Sequence, residues 1–213
     1  MKDKDYLNDI TEIKEMMNKS SRFISLSGLS GVLAGIYALI GAYLAYNAIE
    51  DYKSSLLINY NYITIKHLAY INLEIYLVTV ALAVVLLATL TGIILTRIKA
   101  KKHNAKMWDA TSRRLLINFL IPLVTGGFFS LVLIQRNFVS LTAATMLIFY
   151  GLACINASKF TFRDIKYLGL VQLILGLICT QFVGYGLYFW AFGFGVMHIV
   201  YGAIMYFKYD RTK

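Results

Sequence analysis

The chain has 213 residues, of which 59% are hydrophobic and only 15% charged, with a mean hydropathy of +0.64. A soluble globular domain carries about 25% charged residues, so this composition argues against one and for a polytopic membrane protein. The net charge of +10 would suggest nucleic acid in a soluble protein, but here the position of the cations along the chain explains it, and no nucleic-acid partner is expected.

Met1–Ser21 mixes both signs of charge. Tyr6, Ile10, Ile13 and Met17 recur at helical spacing, so residues 1–22 are expected to form a cytoplasmic amphipathic segment lying on the membrane surface. Phe23–Ala48 follows without a single charged residue. About twenty apolar residues cross a hydrocarbon core of about 30 Å, so this stretch is long enough for a first span. A signal peptide is the competing interpretation, but its apolar region is usually only about 7–15 residues long. Ser27, Gly31 and Gly35 fall four residues apart, the small-xxx-small spacing that lets helices approach closely in lipid. The seam they form lies either within this chain or between two copies of it.

Glu50–Tyr70 is expected as a tyrosine-rich connection, because tyrosine favours the membrane–water interface. Further spans are expected at about Ile75–Thr96, Leu115–Ile134, Phe138–Ala157, Tyr167–Val183 and Tyr188–Phe207. The result is an all-α polytopic bundle of six transmembrane helices over residues 23–208, with 209–213 as a cytoplasmic tail. Of the 21 Lys and Arg residues, 18 fall in the N-terminal segment, Arg97–Arg114, Lys159–Lys166 and the C-terminus. By the positive-inside rule both termini face the cytoplasm, in a multi-pass protein of the cell membrane. A threefold repeat of two-helix hairpins is also visible. Leu29, Leu120 and Leu170 stand seven residues after Arg22, Arg113 and Arg163, and Gly35, Gly126 and Gly176 thirteen after. The second helices align on Gly92, Gly151 and Gly202.

Few residues can carry chemistry. His198 is the one ionisable residue near the middle of a span, where such groups are functional candidates by default. Gly195 and Gly202, a turn to either side on its face, are expected to leave a groove beside the imidazole. A neutral histidine bonded to a neighbouring helix is the plainer alternative. Gln172 is expected to bond across to another helix. Asn118 precedes Pro122 by one turn, where the missing N–H frees a carbonyl. Glu74 lies at the edge of the second span, as a cation or proton site or as a solvated carboxylate. Together His198, Gln172, Asn118 and Glu74 are the candidate ligand-binding residues; Ser27, Gly31, Gly35, Gly195 and Gly202 are the helix-packing set. No metal-ligand spacing, phosphate loop or paired intramembrane carboxylate appears, so no catalytic residue is assigned and no cofactor is named. Cys154 and Cys179 fall inside apolar runs as core residues.

The segment FISLSGLSGVLAGIYALIGAY after a charged lead, with GFGVMHIVYGAIMYFKYDR at the end, resembles a family of small bacterial integral membrane proteins of unassigned function. The resemblance implies a location in the cytoplasmic membrane and transfers no site residue. The functional expectation is therefore a protein that binds or transports a small molecule or lipid in a cavity between the third, fifth and sixth spans. The alternative is a membrane-embedded regulatory subunit holding a cytoplasmic protein partner through its basic loops.

Overall fold

A computed structural model describes residues 26–58, 63–102 and 108–211; the amphipathic segment expected at 1–22 lies outside the described residues. Every regular element among the described residues is helical. The helices are α1 (Gly28–Ile58), α2 (Ile63–Lys102), α3 (Ala110–Gln135), α4 (Thr142–Ala157), α5 (Asp164–Cys179) and α6 (Gly186–Asp210). Short 3₁₀ turns flank α4, and α6 is wound as a π-helix over Ala191–Met197 and Tyr206–Asp210. Five of these helical segments, all but α5, are long and apolar enough to cross a membrane.

The expected connection at Glu50–Tyr70 is mostly helix, which corrects the boundary read from the sequence. No glycine or proline interrupts the chain between Gly41 and Gly92, so nothing intrinsic stops α1 at the bilayer edge. Lys53 bonds Glu50 one turn back at 2.7 Å on the exposed surface, where water screens the pair and leaves it little weight. Other ends are set by local chemistry. Asp109 caps α3 by accepting from the Ser112 amide at 2.6 Å, while its own amide donates to the Ser112 hydroxyl at 2.8 Å. This is a reciprocal capping box. Replacing Asp109 by alanine should lower thermal stability by about 1 kcal/mol, read from unfolding followed by circular dichroism in detergent. At its other end α3 stops on Asn137, whose φ of 62° is left-handed. The Asn137 amide bonds Ile134 and the Phe138 amide bonds Leu133, the double closure of a Schellman turn.

The helices run up and down between two ends of the bundle. α1 packs against α2 on one side and α6 on the other, while α4 packs against α3 and α5. Small residues make these contacts close. A Cβ added to Gly35 would lie 2.6 Å from the Gly195 carbonyl oxygen and 2.9 Å from the Ile199 nitrogen. One added to Gly31 would lie 3.1 Å from the Gly202 Cα. The α1–α6 seam therefore lies within the chain, backbone on backbone. Gly151 of α4 and Gly169 of α5 form a second seam, each blocked at 2.7 Å by the other's carbonyl oxygen. The positions aligned as a repeat do not share one environment: nothing approaches Gly92 within 4 Å, whereas Gly151 and Gly202 are closed in by neighbouring backbone.

One end of the bundle is tied by charge. Asp210, at the end of α6, accepts from the Gly28 amide at 2.9 Å and the Ser27 hydroxyl at 3.2 Å, and pairs with Lys99 of α2. Lys99 also donates to the Leu26 carbonyl at 2.8 Å and lies over the Phe162 ring, which stacks on Tyr209 at 4.1 Å. Asp164, opening α5, accepts from Tyr209 at 2.6 Å and from Lys208 at 3.0 Å.

Candidate functional site

Two of the buried polar residues, Gln172 and His198, converge on one carbonyl. The π-wound turn of α6 presents the Gly193 oxygen to two side chains: Gln172 Nε2 of α5 donates at 2.7 Å, and His198 Nδ1 lies 3.1 Å away. A π-turn displaces the backbone from the regular i→i−4 ladder, which is why such turns gather at polar sites inside helices. Gly193 permits the approach, because a Cβ there would meet Gln172 Oε1 at 2.6 Å. Gln172 is fully buried, and its Oε1 has no hydrogen-bond partner.

The other imidazole nitrogen, His198 Nε2, lies 2.6 Å from the Tyr150 hydroxyl of α4. A carbonyl only accepts, so Nδ1 must carry a proton. In the neutral ring Nε2 is then bare and accepts the phenol proton. Aromatic rings fix the pair: Phe194 stacks on His198 at 5.8 Å and Phe119 of α3 meets Tyr150 edge-on at 5.9 Å. His198 itself is 9% exposed.

A cleft of about 160 Å³ opens beside this pair, walled by α1, α4, α5 and α6. Leu26, Ile165, Leu168 and Met205 supply its apolar surface, and Ser27, Ser30, Tyr150, His198 and Tyr201 its polar atoms. Its place differs from the expected one. The groove foreseen beside the imidazole is filled at Gly195 by Leu39, and at Gly202 by α1 backbone, whose Gly28 oxygen would stand 2.8 Å from an added Cβ. The open space lies on the Tyr150 side, and α1 and α4 stand as walls in place of α3.

The four candidate residues separate accordingly. His198 lines the cleft, and Gln172 stands behind it, joined through Gly193. Asn118 lies apart, its amide donating at 2.8 Å to the Arg114 carbonyl of its own helix in an exposed position. Glu74 is toward the opposite end of α2 from Lys99, one turn beyond Tyr70, with one carboxylate oxygen buried and unpartnered. Of the packing set, Gly31, Gly35, Gly195 and Gly202 meet along α1 and α6, while Ser27 bonds Asp210. By spacing, Tyr150 stands out in the sequence only through the Tyr150-Gly151 pair that matches Tyr201-Gly202, and that match gives it no site role. The signal was its depth: a tyrosine in mid-span, away from the interfacial belt, must find a partner for its hydroxyl. Among the described residues no group of three or more His, Cys, Asp or Glu side chains could hold a metal ion. In comparisons with known proteins no family model, curated protein or solved structure matched the chain.

Proposed function

We propose that this chain is an integral protein of the cell membrane that binds, and in binding can transport, a small molecule or lipid held in the cleft beside His198 and Tyr150. The observation that carries this is the cleft itself, where four helices leave room beside a buried, hydrogen-bonded Tyr–His pair instead of closing on it. At about 160 Å³ it is smaller than the roughly 300 Å³ at which drug-sized sites begin. It suits a headgroup or a compact molecule.

The chain crosses the bilayer six times, with α5 as the fifth span and both termini cytoplasmic. α5 has 16 residues, about 24 Å at 1.5 Å each, and reaches a full crossing only with the turn that follows it. Two contacts favour its crossing. Asp164 at its start bonds Lys208 and Tyr209 at the end of α6, and the chain returns into α6 at Gly186, beside Ala143 near the start of α4. The cationic segments then gather at the end tied by Lys99 and Asp210, as the positive-inside rule requires.

Native mass spectrometry of the gently extracted full chain tests the binding role. A lipid or small molecule should accompany the protein, and Leu168→Trp, which fills the cleft, should remove it. A bare chain, or a bound mass indifferent to Leu168→Trp, would overturn the proposal. A regulatory role is the second reading, favoured by the exposed cations Arg97, Lys101, Lys102, Arg113 and Arg114 at one end. It predicts instead that neutralising these five releases a co-purifying protein, while filling the cleft changes nothing. Lys99 is excluded from that set because it is paired with Asp210.

A further inference from the structure

Three of the four hydroxyl groups around the cleft have their protons committed elsewhere. Tyr150 donates to His198 Nε2 at 2.6 Å, Ser30 to the Ser27 carbonyl at 2.6 Å, and Ser27 to Asp210 at 3.2 Å. The fourth hydroxyl, Tyr201, lies within electrostatic reach of the Asp164 carboxylate. What remains at Tyr150 is the acceptor capacity of the phenol oxygen, beside the Cys154 thiol with which it also interacts.

This assignment depends on a neutral imidazole, and the surroundings supply no charge to stabilise a cation. α1 faces the site with Ser27, Ser30 and Gly31, and α3 contributes Phe119. α4 contributes Tyr150, with Cys154 one turn further on, and α5 contributes Ile165, Leu168 and Gln172. From α6 itself come Phe194, Tyr201 and Gly202. The carboxylates toward the rim are already partnered, Asp210 with Lys99 and Asp164 with Lys208 and Tyr209. A charge on ring or ligand would be buried without a counterion.

We infer that the cleft takes an uncharged amphiphile that brings its own hydrogen-bond donor, an alcohol O–H or an amide N–H, to the phenol oxygen of Tyr150. The inference rests on the binding role proposed above. At Tyr150 a ligand with only acceptors would set its oxygen against an acceptor and leave both unpaired, and such mismatches are what give buried polar sites their discrimination. Its hydrocarbon part packs on Ile165, Leu168 and Met205. The donor can belong to a membrane lipid with an uncharged hydroxyl head or to a free alcohol.

The probes are n-octanol, its methyl ether, octanoate and octylammonium, titrated into the full chain in detergent. Trp190, whose ring lies 5.3 Å from Phe194, reports binding by fluorescence in a Trp108→Phe background. Octanol should bind at least about tenfold more tightly than the ether, and neither ion should bind more tightly than the ether. With His198→Phe the phenol recovers its proton and can donate to the ether, so the octanol-to-ether ratio should fall toward one. With Tyr150→Phe the bare Nε2 accepts in its place and the preference for octanol should persist, which keeps the test open if the first variant does not fold. Monoacylglycerol tested beside octanol separates the sources: tighter binding of the former points to a lipid. Equal affinity for octanol and ether, or tightest binding of either ion, would overturn the donor requirement while leaving the cleft as a site. Binding that Leu168→Phe and Met205→Phe both fail to weaken would instead overturn the cleft.

Discussion

A Gly202→Leu variant should lose at least about 3 kcal/mol of stability, the upper part of the range for overpacking a close contact, and should elute from detergent as aggregate. The magnitude follows from what the new side chain meets. A Cβ at Gly202 would stand 2.8 Å from the Gly28 carbonyl oxygen and the same distance from the Gly31 carbonyl carbon. Backbone atoms on a facing helix cannot swing aside as a leucine side chain can, so α1 and α6 would have to separate. Separation carries other contacts with it, because Gly31, Gly35 and the Asp210 cap of α1 all lie along the same interface. In lipid no hydrophobic force pulls the helices back together, and close packing is the attraction itself. Gly92→Leu is the matched control. Nothing lies within 4 Å of its added Cβ, and leucine is the better helix former by about 0.5–1 kcal/mol, so stability should hold or rise. Thermal unfolding followed by size-exclusion chromatography distinguishes the two. Equal midpoints for Gly202→Leu and the parent would mean that the α1–α6 seam is not as close as described.

The contrast between these two glycines shows how far the sequence can be read. Apolar length and missing charge are properties of a segment, and they suffice to place helices and to suggest which of them reach across a bilayer. Gly31 and Gly35 have the spacing of a helix contact, but spacing names no partner, and Gly92 looks the same in the sequence while facing open space. Partner choice depends on how six helices divide a shared interior, which no local pattern contains. The polar site obeys the same limit. His198 and Gln172 stand out because polar groups in spans are costly, yet their meeting point is a backbone carbonyl, Gly193, exposed by a π-turn that has no sequence signature. Asn118 carries the same chemical signal as Gln172 but is satisfied one turn back on its own helix. The ends of α1 and α2 escape the sequence for a different reason: a polar, tyrosine-rich stretch can leave a bilayer without having to leave the helix.

Breaking the Lys99–Asp210 pair from one side should cost about 3–5 kcal/mol, while replacing both partners should cost much less. The side chains are only 13% and 12% exposed, so a lone survivor would be a charge with little water and no counterion. Lys99→Met strands a carboxylate that still caps α1 through Gly28 and Ser27, and those two bonds recover part of the loss. Asp210→Ala is the harsher single change: it leaves the ammonium with the Leu26 carbonyl and the Phe162 ring, and it also uncaps the first turn of α1. The cycle itself uses Lys99→Met and Asp210→Asn, singly and together, because asparagine keeps an amide oxygen for the cap while the double variant removes both charges. The loss in the double variant should fall short of the sum of those two single losses by at least about 1.5 kcal/mol, the coupling expected of residues in direct contact. The cycle is read from unfolding midpoints in one detergent at one ionic strength, since an exposed pair would weaken with salt and this one should not. Additive single and double losses would show that the two groups do not share the buried pair, and that the ends of α1, α2 and α6 are held together by apolar packing alone.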